Sequence, residues 1–268
     1  MKKFLLFLAF IFGLTTVYAL GLYVLQEKFY IHPDKEYITP KKAGMPNFRE
    51  VMLEARDGLK IRTWFFNGNE DKPLILFFHG NKSQNAEYAT GLTQYIRNGF
   101  GVMMMDYREF GGMNGKFSQE NIYMDALSTY DYLKKNHSNR EIIVMGYSMG
   151  TAVASYLSSN RQPDKVILLA PFYSLKEIAG EKNIPLARLV IKYEMPSYKF
   201  IKDYKGKLLI LHGSKDTLVP YEHGRRLYDL AKNSQRQFII LNNCEHNEVF
   251  FDTKKNGHTK VIEWISQN

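Results

Sequence analysis

An apolar run at residues 142–145, Ile-Ile-Val-Met, leads directly into Gly146-Tyr147-Ser148-Met149-Gly150 and then into a stretch of small and apolar residues at 149–157. This junction constrains the fold more than any other part of the chain. A short run that is apolar on both faces suits a strand buried from both sides. The small-residue stretch suits a buried helix. The two can follow each other so closely only through a very tight turn. Side chains at Gly146 and Gly150 would collide with neighbouring backbone, and the residue between them is held in a strained conformation. Ser148 is therefore expected to project above a sheet, beside the positive end of a helix. The Gly-x-Ser-x-Gly spacing alone is a weak signal, and its placement between strand and helix gives it weight.

The rest of the chain repeats the same alternation. Short apolar runs lie at 74–78, 101–105, 166–170, 208–211 and 238–241. They read as strands buried on both faces. Helix-like stretches separate them, at 86–97, 121–135, 221–231 and 259–265. In the second of these, Ile122, Ala126, Leu127, Tyr130 and Leu133 fall at helical spacing. Two further strand-like runs, at 51–55 and 59–66, flank Asp57-Gly58, a strong hairpin signal. The predicted class is α/β, with a mostly parallel central sheet and helices on both faces. Residues 172–205 interrupt the rhythm and are expected to form a small cap over the carboxyl edge of the sheet.

The N-terminus is of another kind. After Met1-Lys2-Lys3, residues 4–25 carry no charge. That is 22 residues, and about 20 in helical form cross a bilayer core. The expected organisation is a signal anchor at 1–25, a polar connector at 26–47 and a catalytic domain at 48–268. Lys2 and Lys3 place the N-terminus in the cytoplasm and the domain on the outer, periplasmic side. Cleavage near Ala19, giving an exported soluble protein, is the alternative. The membrane is thus an expected partner. The net charge of +9 is spread over the chain with no run of five basic residues and no nucleic-acid motif, so no nucleic acid is expected. The single cysteine, Cys244, excludes an internal disulfide. No metal and no cofactor are expected, and Met103-Met104-Met105 reads as core filler.

A serine hydroxyl is a poor nucleophile at neutral pH and needs a base. On a strand–turn–helix elbow the partners follow in the order serine, acid, histidine. Residues 208–211 run as a strand into His212-Gly213-Ser214-Lys215-Asp216, which puts Asp216 at a strand's carboxyl end. His246 stands just past the last strand, in a polar loop. Asp216 is expected to orient His246, and His246 to deprotonate Ser148. Among the seven histidines, His258 is the other late candidate for the base. His137 and His223 read as helix-surface residues. The backbone N–H of Met149 should be one oxyanion donor, and that of Asn81, after the strand end at His79-Gly80, the second.

These motifs, with Asp106-Tyr107-Arg108-Glu109-Phe110-Gly111, Ala170-Pro171-Phe172 and Val219-Pro220, resemble the α/β-hydrolase superfamily. Within it the chain is most similar to the membrane-anchored Bem46-like branch, related to the ABHD13 and ABHD17 proteins, over nearly its whole length. The resemblance implies a serine hydrolase of carboxylic esters or thioesters, with Ser148, Asp216 and His246 as triad and the amides of Asn81 and Met149 as oxyanion hole. The substrate expected is a small acyl ester or thioester, lipid-like in character. Glu109 and Met113 depart from the pattern, in a loop expected near the site, where they bear on substrate preference. A peptidase of short peptides and a non-catalytic binding protein remain open on the same scaffold.

Overall fold

The structure, a computed structural model, describes residues 1–182 and 184–267. Position 183, inside the expected cap, and position 268 lie outside the described residues. Eight strands among these form the main sheet: β1 (Arg49–Glu54), β2 (Lys60–Phe66), β3 (Leu74–Phe78), β4 (Gly101–Met105), β5 (Ile142–Tyr147), β6 (Lys165–Leu169), β7 (Lys207–Gly213) and β8 (Gln235–Leu241). Their spatial order is β1-β2-β4-β3-β5-β6-β7-β8. The β1–β2 and β2–β4 pairings are antiparallel, and every later pairing is parallel. This is the predicted α/β class with its mostly parallel sheet.

The alternation of strand side chains builds two cores. Leu74, Leu76 and Phe78 of β3 enter one layer, and Ile75 and Phe77 enter the other. Seven helices matter below: α1 (Lys2–Leu25), α2 (Gln119–Asn136), α3 (Met149–Arg161), α4 (Leu175–Glu181), α5 (Ser197–Ile201), α6 (Tyr221–Leu230) and α7 (Gly257–Gln267). Ser118 caps α2 by accepting the Asn121 N–H at 3.0 Å, which fixes where the helix begins. Helix α4 starts the same way, with Ser174 accepting from Glu177. Helices α4 and α5, with irregular backbone between them, fill the interval between β6 and β7.

Two expectations need correction. The helix expected at 86–97 is broken into Asn85–Tyr88, a 3₁₀ turn at Ala89–Leu92, and Thr93–Arg97. Within the 3₁₀ turn, the Phe250 ring packs against Gly91 and leaves no room for a Cβ. Strand β8 is not buried on both faces. It is the edge strand, and Ile240 remains 42% exposed. The connector is bonded to the domain. His32 and Pro33 pair in parallel with Lys82 and Ser83, and Asp34 accepts from the Ser83 hydroxyl at 2.6 Å.

The loop after β4 is held by charge. Arg108 donates to buried Asp125 of α2 through Nε at 2.8 Å and Nη2 at 2.7 Å. Its Nη1 reaches Asp57 in the β1–β2 turn at 2.6 Å. Arg108→Ala leaves the Asp125 carboxylate buried without its partner, so it should lower unfolding stability by about 3–5 kcal/mol. Denaturant titration of the wild type and the variant measures this. At the same carboxyl edge of the sheet, a Cβ on Gly150 would fall on the Phe78 carbonyl oxygen. Gly150→Ala should cost about 1–3 kcal/mol in the same titration.

Candidate active site

Strand β5 ends at Tyr147, and α3 begins at Met149. Ser148 joins them with φ 50° and ψ −117°, a conformation that residues with a side chain rarely adopt. Its N–H donates to the Leu169 carbonyl at 2.9 Å. A Cβ on Gly146 would overlap the Gly150 carbonyl, so both flanking glycines are required by close backbone approach. Gly80 is required by packing, not by a left-handed turn: a Cβ there would meet the Tyr88 hydroxyl at 2.9 Å and the Tyr147 ring at 3.3 Å.

Parallel strands β5 to β8 bring their carboxyl ends to one edge, where sites of open α/β sheets form. Ser148 follows β5, Asp216 lies after β7, and His246 lies after β8. The three side chains meet in one hydrogen-bonded line. His246 Nε2 is 2.9 Å from Ser148 Oγ, and His246 Nδ1 is 2.7 Å from Asp216 Oδ2. All three are buried. Tyr147 supports the His246 loop from beneath: its hydroxyl donates to Asn247 Oδ1 at 3.0 Å, and its ring centroid is 5.6 Å from that of His246.

Asp216 is held by more than His246. Its Oδ1 accepts the N–H groups of Leu218 at 3.1 Å and Val219 at 2.8 Å. His212 Nε2 approaches Oδ2 at 3.2 Å and the Val219 carbonyl at 2.8 Å. Both are acceptors, so Nε2 carries the hydrogen. Burial alone would raise the carboxyl's pKa, but the bonds from His212 and His246 overcome it and hold Asp216 well below the usual carboxylate range. His212 is a buried neighbour of Asp216 that the sequence reading did not place there. Its signal was the four-residue spacing His212 to Asp216 across a glycine turn.

The other histidines have structural places. His258 is buried between the Tyr95 hydroxyl at 2.9 Å and the Phe250 carbonyl at 2.6 Å, and it does not reach the Ser148 line. His223 is buried, not on the surface. It accepts the Tyr173 N–H at 3.2 Å and faces Glu181 at 2.9 Å. His79 is fully buried, and that burial pushes its pKa down to about 3. Cys244 is fully buried, and its thiol is pushed up to about 11, chiefly by burial.

Ser148 and Met149 open onto a cavity of about 310 Å³ that Asn81 also lines. The Asn81 loop is fixed from both sides. The Asn81 carbonyl accepts the His32 N–H at 2.8 Å, and its side-chain amide donates to the Tyr30 carbonyl at 2.6 Å. Behind it, the Tyr107 hydroxyl donates to the His79 carbonyl at 2.7 Å. Glu109 and Met113, expected near the site, do not line the cavity. Glu109 accepts the Phe117 N–H at 2.8 Å, and Met113 Sδ accepts the Arg62 N–H at 3.4 Å. Glu109 thus ties its own loop, and Met113 ties that loop to β2.

Residues 69–203 match the family Hydrolase_4, described as serine aminopeptidase, S33. A Mycobacterium tuberculosis protein is 28% identical over 232 residues, spanning 83% of this chain and 81% of its own length. Human protein ABHD12B is 32% identical over 215 residues, 72% of this chain and 58% of its own. Lysophosphatidylserine lipase ABHD12 of Danio rerio is 27% identical over 240 residues, 73% of this chain and 62% of its own. Among solved structures, the Pyrococcus furiosus esterase superposes with a TM-score of 0.72 at 19% identity, over 89% of this chain and 98% of its own. Esterase Est1E of Butyrivibrio proteoclasticus does so at 0.63 and 18%, over 81% and 99%. At such identities these two speak for the fold alone. The chain belongs to the Hydrolase_4 family and is an α/β-hydrolase of the ABHD type, a serine hydrolase.

Proposed function

We propose that the protein hydrolyses a carboxylic ester or thioester whose acyl group is apolar, with Ser148 as nucleophile, His246 as base and Asp216 as the orienting acid. One observation carries this reading. The hydrogen-bonded line Asp216–His246–Ser148 ends at a cavity whose walls are mostly leucine, isoleucine, alanine and aromatic side chains. Such walls suit an acyl chain better than a peptide, which brings amide groups that need partners.

The reaction follows from the geometry. His246 Nε2 takes the Ser148 proton as Oγ attacks the substrate carbonyl carbon. The tetrahedral oxyanion lies against the N–H groups of Met149 and Asn81. The bond to the leaving alcohol or thiol breaks, and that group takes the proton from His246. Water then loses a proton to His246 and attacks the acyl-enzyme. The free acid departs and Oγ regains its proton. Asp216 stays ionised and stabilises the imidazolium. The relatives named as lysophosphatidylserine lipases support a lipid-like ester as substrate.

The described residues contain one helix long and apolar enough to cross a membrane, Lys2–Leu25, and it is unburied. We read it as an uncleaved anchor, with Lys2 and Lys3 cytoplasmic and the domain outside.

Labelling by a fluorophosphonate probe tests the serine. It should be lost in Ser148→Ala and His246→Ala and kept in His258→Ala, whose defect should appear only in stability. Asp216→Asn should retain the fold and lower kcat on an acyl ester by about four orders of magnitude. Loss of labelling in His258→Ala at wild-type stability would move the base from His246 to His258.

Asp216 also sets a pH dependence. Its folded-state pKa lies well below the unfolded value of about 3.9, so its contribution is fully present above that pH and is lost progressively as pH falls from there toward and through the lower folded-state pKa. The stability gap between wild type and Asp216→Asn should therefore narrow below about pH 4. Thermal unfolding of both proteins from pH 3 to 7 reads this directly.

A further inference from the structure

The end of α1 is part of the site. Ala19, Leu22 and Gln26 are shielded positions spaced three and four residues apart, so they share one face of the helix and its extension. Most of the remaining apolar surface from residue 4 to residue 25 is exposed. Gln26 is buried although it follows a membrane-length helix. Its amide donates to the Val190 carbonyl at 3.0 Å and accepts the Lys192 N–H at 2.6 Å. Glu27 accepts the Tyr193 hydroxyl at 2.6 Å and pairs with the Lys192 ammonium. Residues 190–193 belong to the irregular stretch between α4 and α5, so these bonds hook that part of the cap onto the end of the helix.

The cavity above Ser148 lies between those two pieces. Leu22, Phe29 and Tyr30 line it from the α1 side, and Ile178, Ile184 and Val190 from the cap side. Its mouth is ringed by large apolar side chains left in the open. Phe29 is 68% exposed, Leu218 50% and Ile184 47%. An exposed apolar ring of this kind marks a membrane or partner contact. Here it continues the exposed apolar surface of α1, which selects the bilayer. Leu22 is one turn, about 6 Å, before Gln26, so the mouth lies at the edge of the hydrocarbon layer.

We propose that the end of the anchor helix is one wall of the acyl site. The acyl chain of a bilayer amphiphile passes sideways between the Leu22–Phe29 segment and the cap to reach Ser148. This rests on the ester-hydrolase and anchor readings above.

The test uses the full chain in phosphatidylcholine vesicles. A long-chain alkyl fluorophosphonate with a photoreactive terminal carbon is the probe. Ser148 Oγ displaces fluoride, and irradiation then marks what the chain end touches. Cross-links within residues 19–31 are expected. A labelled Ser148 with cross-links only elsewhere overturns the anchor wall and leaves the hydrolase reading standing. Failure of both this probe and a short-chain fluorophosphonate to label Ser148 overturns the hydrolase reading and the wall with it. In parallel, Leu22→Trp should lower the ratio of kcat/KM for a dodecanoyl ester to that for a butyryl ester by about tenfold, the effect of roughly two methylenes left unburied. Val24→Trp, exposed and outside the cavity, should leave the ratio unchanged. Equal ratios in the two variants count against the proposal.

Discussion

The crossing of two backbones at Gly150 is the constraint on which the site depends. The carbonyls of Phe78 and His79 lie where a Cβ of residue 150 would be, and the Gly150 carbonyl lies where a Cβ of residue 146 would be. Strand β3, strand β5 and helix α3 can approach this closely only without side chains at those points. The approach forces Ser148 into its strained conformation, at a cost of about 1–3 kcal/mol. The two buried layers on either side of the sheet offset that cost. The same contact ties the serine to the start of the Asn81 loop, since His79 both borders Gly150 and accepts from Tyr107. Ser148 and the Asn81 segment are thus positioned against each other by backbone, which does not rearrange with side-chain rotamers.

Much of this was legible in the sequence because the signals were local. The runs at 74–78 and 101–105 are strands with those same bounds, since unbroken apolarity flanked by turn residues leaves little ambiguity. The elbow was legible because strand, glycines, serine and helix are contiguous. The meeting of Ser148, Asp216 and His246 was expected from their order after strands, and the parallel sheet brings all three to one edge. What escaped was tertiary. Gly91 belongs to a helix-like run until Phe250, far along the chain, packs against it. His223 follows a helical spacing that gives no hint of Tyr173 and Glu181. The last strand has the composition of a core strand, and only its place at the edge exposes it.

The connector was the largest gap between composition and structure. Its prolines and polar residues read as a connector, and nothing local in them names the distant partners it meets in the fold. In the fold it performs three tasks within a dozen residues. Gln26 and Glu27 hold the cap, Tyr30 and His32 hold Asn81, and Asp34 holds Ser83 and Gly111. The connector uses the side chains of Gln26, Glu27 and Asp34 as well as the main chain of Tyr30, His32 and Asp34, and every partner lies at least 49 positions away, so local sequence carries little trace of them. A segment that grips both the stretch between α4 and α5 and the Asn81 loop couples them mechanically to whatever fixes its own start. That start is α1. A domain joined to α1 by a free linker would keep its site geometry wherever that helix went. Here the helix end, the segment between α4 and α5, and the Asn81 loop are one hydrogen-bonded unit, so the geometry of the site is tied to the position of α1.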